Sequence, residues 1–418
     1  MSKLVPTIEG IEDAALKLNG IIEPTPLQFN KNLSELYDAN IYVKREDLQI
    51  VRSYKIRGAY NFICRLNKAQ KKNGVICASA GNHAQGFAYS CYLLKIKGTV
   101  VMPMTTPKQK VSAVQRIGKE FITVELFGDT YDDAKSFADK MAQKNNATLV
   151  PPFNHALIME GQGTVALEML QQLGKKKVDA VVVPIGGGGL ASGMMTYLEK
   201  YAPNTTIYGA EPLGAPAMYE SIQKNKLIKL KHIDKFVDGA AVKEVGDLSF
   251  SLLKNKLKEV VLVPEGKVCT TILQLYNRDA IIAEPAGALS VAALDLIKDE
   301  IKGKTIVCVI SGGNNDIERM PEIKEKSLLY EGLKHYFIIK FPQRSGALKQ
   351  FVNKVLGPND DITLFEYTKK NTKESGPALV GVELKNKEDY NGLVDRMKKY
   401  NVDFTNLNED PILFNFLV

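Results

Sequence analysis

Ala180-Val181-Val182-Val183-Pro184-Ile185-Gly186-Gly187-Gly188-Gly189-Leu190 is the stretch on which the fold turns. Its first six residues are apolar without alternation, the pattern of a strand covered by helices on both faces. The glycines then lead into a helical stretch at 190–201. The same strand-then-helix order extends to both sides. Further strands are predicted at 40–46, 74–79, 99–104, 121–126, 148–152, 206–211, 259–264 and 305–310. Between them lie capped helices. Thr106-Pro107 supplies a cap and a first-position proline, Asp129-Thr130 opens a helix to about 144, and 160–173 is helical up to Gly174. Such alternation predicts an α/β fold with parallel sheets.

Beyond Pro321 the pattern changes. Residues 322–334 are charged and read as a connector. Then follow a strand (335–341), a helix (346–356), two strands (362–369 and 378–384), a helix (387–400) and a strand (402–407). That order, βαββαβ, is a small ferredoxin-like unit, predicted as a separate domain at 335–418. A chain of 418 residues is in any case too long for a single core.

Composition narrows the function classes. The net charge of +8 is spread among acids, as in Lys385-Asn386-Lys387-Glu388-Asp389, which argues for a solvated surface and against nucleic acid as a partner. No apolar run approaches the ~20 residues of a membrane span. Residues 1–18 lack the apolar core of a secretory signal, so a cytoplasmic protein is expected. The five cysteines, an odd number without a CxxC pair, read as reduced thiols. The four histidines show no metal-ligand spacing, so no metal site is expected.

Three loops and one lysine carry the chemistry. Four glycines between a buried strand and a helix let backbone amides close around a phosphate at a helix N-terminus. Gly186, Gly188 and Ala191 also match a dinucleotide fingerprint, with Glu211 placed as a ribose-binding acid, so a nicotinamide oxidoreductase is an alternative. Nothing in that alternative uses Lys55, which stands in Ser53-Tyr54-Lys55-Ile56-Arg57-Gly58 between a strand and a helix start. A half-buried lysine there has a lowered pKa and can form a Schiff base and act as a base. Ser79-Ala80-Gly81-Asn82-His83-Ala84-Gln85-Gly86 offers amides to a carboxylate, with a helix cap as the plainer reading of Asn82 and packing as that of His83. Ser311 stands before Gly312, Gly313 and Asn314 at another strand end. Parallel sheets bind ligands beyond such ends, so a common cleft is expected.

Together these segments resemble the threonine dehydratases (threonine ammonia-lyases), pyridoxal-phosphate enzymes of the tryptophan-synthase-β-like fold, fold type II. The resemblance also runs through VKRED (43–47), VPPFNH (150–155), GQGT (161–164), AEP (210–212) and EPAGA (284–288), and the C-terminal unit resembles an ACT-like regulatory domain. It implies a catalytic domain at 1–321, with a smaller subdomain at about 54–155, a linker at 322–334 and a regulatory domain at 335–418.

It also implies roles. Lys55 would hold pyridoxal 5'-phosphate and then remove the Cα proton. Tyr54 would pack on the cofactor ring and Asn82 would bond its 3-hydroxyl oxygen. Gly186, Gly187, Gly188, Gly189 and Leu190 would give amides to its phosphate, and Ser311 would contact its pyridine nitrogen. Ser79, Ala80, Gly81 and Asn82 would grip the substrate carboxylate. L-threonine is the expected substrate, L-serine a side substrate, isoleucine the expected effector and a homotetramer the expected assembly. Ala80 stands where serine racemases usually carry serine, which disfavours racemisation. Pro216 stands where some relatives have a metal-binding acid, and Ser345 where the family often has proline in the effector region. A sensor with a vestigial cofactor site is the non-enzymatic alternative; intact Lys55 and the full glycine run argue against it.

Overall fold

The protein is described as a computed structural model covering residues 5–368 and 374–418, apart from the side chain of Asn415. It divides into two units, 1–317 and 318–418.

Ten strands are described in the first unit: Leu27–Phe29 (β1), Asn40–Arg45 (β2), Val75–Ala78 (β3), Gly98–Met102 (β4), Ile122–Leu126 (β5), Thr148–Leu149 (β6), Ala180–Pro184 (β7), Thr206–Pro212 (β8), Glu259–Val263 (β9) and Thr305–Ile310 (β10). They form two sheets. The larger has the order β1-β2-β10-β7-β8-β9 and is parallel except for the edge strand β1. The smaller, β5-β4-β3-β6, is wholly parallel. Central β7 is buried at every position, as its unbroken apolar run requires. Pairing continues past its end, because the Ile185 amide donates to the Ala210 carbonyl at 2.8 Å. Val181, Val183, Met194, Leu198 and Val307 build one core. Val75, Phe87, Val100 and Ile158 build the other.

Several helix starts differ from expectation. Pro107, in extended conformation, is itself the cap, so that helix runs Lys108–Gly118 and Thr106 lies outside it. The helix expected from residue 160 begins earlier, at Ala156–Leu173, because the His155 side chain accepts from the Leu157 amide at 3.1 Å. It ends at Gly174, whose φ is +61°. Thr130 caps Tyr131–Asn145 in a reciprocal box with Asp133.

The second unit opens with the helix Met320–Tyr330, which takes in most of the expected connector. The strands Lys334–Pro342 (β11), Asp361–Tyr367 (β12), Ser375–Glu383 (β13) and Asp403–Asn406 (β14) form the antiparallel sheet β12-β13-β11-β14. Helices Ala347–Lys354 and Asp389–Lys399 complete the βαββαβ order. Phe337, Phe351, Val380, Leu393 and Met397 form its core. The strand expected at 362–369 ends at Tyr367, and Lys369 lies outside the described residues. Among the described residues, no helix is long and apolar enough to cross a membrane.

Candidate active site

Strands β2, β10 and β7 are neighbours in the larger sheet, so the segments that follow them emerge at one edge. Those segments carry Lys55, Ser311 and the glycine run. β3 of the smaller sheet brings Ser79, Ala80, Gly81 and Asn82.

Lys55 is the first residue of the helix Lys55–Cys64. Its approach is pinned to the segment after β10. Ser53 pairs with Gly312, and the Tyr54 amide donates to the Ser311 carbonyl at 3.2 Å. The half-buried amine donates to the Pro152 carbonyl at 3.1 Å and stands 5.2 Å from the centre of the Tyr54 ring. Burial lowers its pKa to about 8, with Glu284 pulling the other way. A substantial fraction of the amine is therefore neutral near physiological pH. Gly86 lets the helix Asn82–Leu94 approach closely here, since a Cβ at 86 would lie 2.9 Å from the Ile56 amide nitrogen.

Asn82 opens that helix, and Gly81 takes the cap position. The Asn82 amide instead works across the cleft. Its Nδ2 donates to Glu284 Oε1 at 2.5 Å, and its Oδ1 accepts from Asn314 Nδ2 at 2.7 Å. Asn314 Nδ2 also reaches the Val51 carbonyl at 2.9 Å. Burial, reinforced by the charge of Asp238, raises the Glu284 carboxyl to about 7. His83 is buried, with Nε2 at 3.0 Å from the Val150 carbonyl. Burial and then Lys55 push it down to about 3, so it is a neutral packed residue. Ser79 Oγ accepts from the Gly81 amide at 3.2 Å, and Ser311 Oγ donates to the Ala286 carbonyl at 3.2 Å.

The glycine run is a cradle with no room for side chains. A Cβ on Gly187 would lie 2.3 Å from the Phe153 ring, and one on Gly188 would lie 2.6 Å from Ser249 Cβ. Gly188 also has φ +87°, which only glycine adopts at little cost. The run caps the helix Gly189–Tyr201, whose first amides have no partner within the helix. Ser249 Oγ beside it is buried without a hydrogen-bond partner among the described residues. Together, first-turn amides, a narrow cradle and an unpaired hydroxyl fit a phosphate. Phe153 follows Pro152, so one segment ties the glycine run to the Lys55 amine. The circuit closes on the far side. A Cβ on Gly186 would lie 3.0 Å from Ala240 Cα, and one on Gly239 would lie 3.4 Å from Glu284 Oε1.

Below Lys55 its helix is anchored by charge. Arg57 is fully buried and donates to both oxygens of Glu46 (2.8 and 2.8 Å), both of Glu168 (2.6 and 2.8 Å) and Thr164 Oγ1 (3.0 Å). Lys44, also fully buried, reaches Glu168 Oε2 at 2.7 Å. Two cations and two carboxylates thus neutralise one another.

Glu211 is not placed for a ribose. Its carboxyl is buried and accepts from the Met218 and Tyr219 amides at 2.8 and 2.9 Å, which uses both oxygens. Glu284, Asn314, Pro152 and Asp238 were not singled out for roles by the sequence reading. Glu284, a carboxylate before the helix Pro285–Ala292, reads locally as a cap.

Comparison with known proteins bears on this geometry. The model of the pyridoxal-phosphate dependent enzyme family matches residues 18–312, and that of the C-terminal regulatory domain of threonine dehydratase matches 325–417. The chain is 56% identical over 411 residues to the L-threonine dehydratase biosynthetic IlvA of Halalkalibacterium halodurans, covering 98% of this chain and 99% of that one. Identity to the Bacillus subtilis protein of the same name is 53%, covering 98% and 97%. Among solved structures, a processed threonine deaminase isoform 2 from Solanum lycopersicum superposes with a TM-score of 0.72 at 34% identity, covering 78% of this chain and 96% of that one. Maize serine racemase gives 0.72 at 28%, covering 78% and 99%.

Proposed function

The chain belongs to the pyridoxal-phosphate dependent enzymes, and within them to the biosynthetic threonine dehydratases, and from that premise we propose how its own residues convert L-threonine to 2-oxobutanoate and ammonia. One observation carries the proposal: the Lys55 amine, lowered to about 8, lies on a segment from the sheet edge that also bears Ser311 and a glycine cradle that fits a phosphate, with the Asn82 segment of the smaller sheet bonded to Asn314 beside it.

When bound, pyridoxal phosphate supplies the electron sink that makes the Cα proton of the amino acid acidic. The chain supplies the rest. Gly186, Gly187, Gly188, Gly189 and Leu190 would hold the phosphate, Tyr54 would pack on the ring, and Asn82 would bond the ring oxygen. Ser311 would contact the ring nitrogen by turning its hydroxyl from the Ala286 carbonyl, and as a neutral group it would not enforce protonation there, which favours elimination over transamination. Ser79, Ala80, Gly81 and Asn82 bind the substrate carboxylate. Lys55, in its neutral form, would take the Cα proton as that bond breaks, and the β-hydroxyl would leave as water, the proton it gains balancing the one lost from Cα. The released unsaturated amine hydrolyses in water. Ala80 leaves no hydroxyl to reprotonate the opposite face of Cα, so elimination prevails over racemisation. L-serine, short of one methyl group, is a weaker substrate by about 1–3 kcal/mol.

We assign catalysis to residues 1–321, with its smaller subdomain at 54–155, and regulation to 335–418, joined through 322–334. Isoleucine, the end product of the route this reaction begins, is the effector we propose, acting in a cytoplasmic homotetramer. Borohydride reduction and peptide mapping are expected to leave the cofactor mass on the peptide carrying Lys55; label on another lysine refutes the assignment. Deleting 335–418 should keep turnover and abolish inhibition by isoleucine, whereas inhibition that survives the deletion would place the effector elsewhere.

A further inference from the structure

Between the helices Ala217–Gln223 and Asp247–Leu253, residues 224–246 form neither helix nor strand. Irregular segments of this length inside a compact domain usually carry function. The middle of the segment forms a wall of the site, where Gly239 and Ala240 close on Glu284 and Gly186. Its flanks reach the other side of the cleft. Asp238 Oδ2 accepts from Lys110 Nζ at 2.7 Å, and Lys110 lies in the first turn of the helix between β4 and β5. Lys243 Nζ stands 3.6 Å from Asp132 Oδ2, near the start of the helix after β5. Just beyond the segment, Asp247 Oδ1 accepts from Asn154 Nδ2 at 2.9 Å. One run of chain from the larger sheet therefore holds the helices of the smaller sheet by charge, beside the substrate-binding edge.

We propose that the Lys110–Asp238 ion pair is a clasp that holds the two sheets of the catalytic unit closed around the amino acid, which makes Lys110 a positioning residue for the reaction. The proposal rests on the assignment of this cleft to L-threonine. Lys110 acts from outside the cofactor cradle, through Asp238. The pair is also within electrostatic reach of the chemistry, since Asp238 raises and Lys110 lowers the pKa of Glu284. Its side chains are 31% and 42% exposed, so the attraction is partly screened by salt. Where only the closed form binds productively, apparent affinity scales with the closed fraction. A clasp therefore acts on KM and leaves kcat, set once the substrate is enclosed, nearly unchanged.

The test uses the full-length holoenzyme. Lys110→Ala is expected to raise KM for L-threonine about two- to fivefold, the range of a partly exposed pair, with kcat held within about twofold. Lys110→Arg should restore KM. Raising ionic strength from about 0.01 M to about 0.5 M, which collapses the screening length, should lift the wild-type KM toward that of Lys110→Ala and leave the variant flat. A purely structural lysine would show neither the salt convergence nor the rescue by arginine. An unchanged KM in Lys110→Ala, or an equal salt response in both proteins, overturns the clasp. Failure of the unmodified chain to turn over threonine would instead overturn the assignment of the reaction.

Discussion

Arg57→Met tests the charge cluster that anchors the helix beginning at Lys55. Arg57 is fully buried and makes five short hydrogen bonds to Glu46, Glu168 and Thr164. With Lys44, the four charged groups sum to zero. Methionine fills much of the volume but leaves two carboxylates facing one cation, and Glu46 is fully buried. Removing one partner from a buried ion cluster costs about 3–5 kcal/mol. For a unit of this size a loss of 1 kcal/mol lowers Tm by roughly 2 °C, so a fall of roughly 6–10 °C is expected by calorimetry or circular dichroism. The second arm is Arg57→Met with Glu46→Gln, which restores neutrality and should recover part of the loss, giving a coupling of about 0.5–3 kcal/mol. A single variant that loses less than about 1 kcal/mol, or a double variant no better than additive, would refute the view that charge compensation holds this helix.

Other outcomes follow from the same geometry. Gly187→Ala places a methyl group 2.3 Å from the Phe153 ring, an overpacking that costs about 1–3 kcal/mol, so cofactor affinity measured by fluorescence titration should fall about tenfold; unchanged affinity would contradict the cradle. If Lys55 is the attachment point proposed above, covalent uptake of cofactor by the apoprotein requires its amine to be neutral. Burial moves that amine down from 10.5 to about 8, so the amine is protonated below that pH and neutral above it. The uptake rate should therefore rise with pH and level off above about 8, and a rise continuing to pH 10 would remove the lowered pKa from the account.

Where the sequence was legible, the reason was burial. β7 and β10 lie inside a parallel sheet, so every position but the half-buried Thr305 that opens β10 is apolar and the pattern is plain. The glycine run was legible because side chains cannot fit there. Helix starts were less so: His155 is not a common cap residue, and Pro107 took the cap position that Thr106 was expected to hold. Lys55, Asn82 and Ser311, singled out from the sequence, lie on segments that the structure brings together, but their partners were not picked out. Glu284 and Asn314 lie 202 and 232 residues from Asn82 along the chain. Asp238 is 128 residues from Lys110. Contacts this remote come from sheet topology, and no local pattern announces them.

The most direct test of the account is the near-visible absorption of the purified protein, recorded on the wild type and on Lys55→Ala while L-threonine is added and 2-oxobutanoate is assayed. A band in the wild type that shifts on addition of threonine as 2-oxobutanoate accumulates, with no turnover in Lys55→Ala, is the predicted result. Turnover by Lys55→Ala at the wild-type rate, or a wild type that stays colourless after incubation with pyridoxal phosphate, would contradict it.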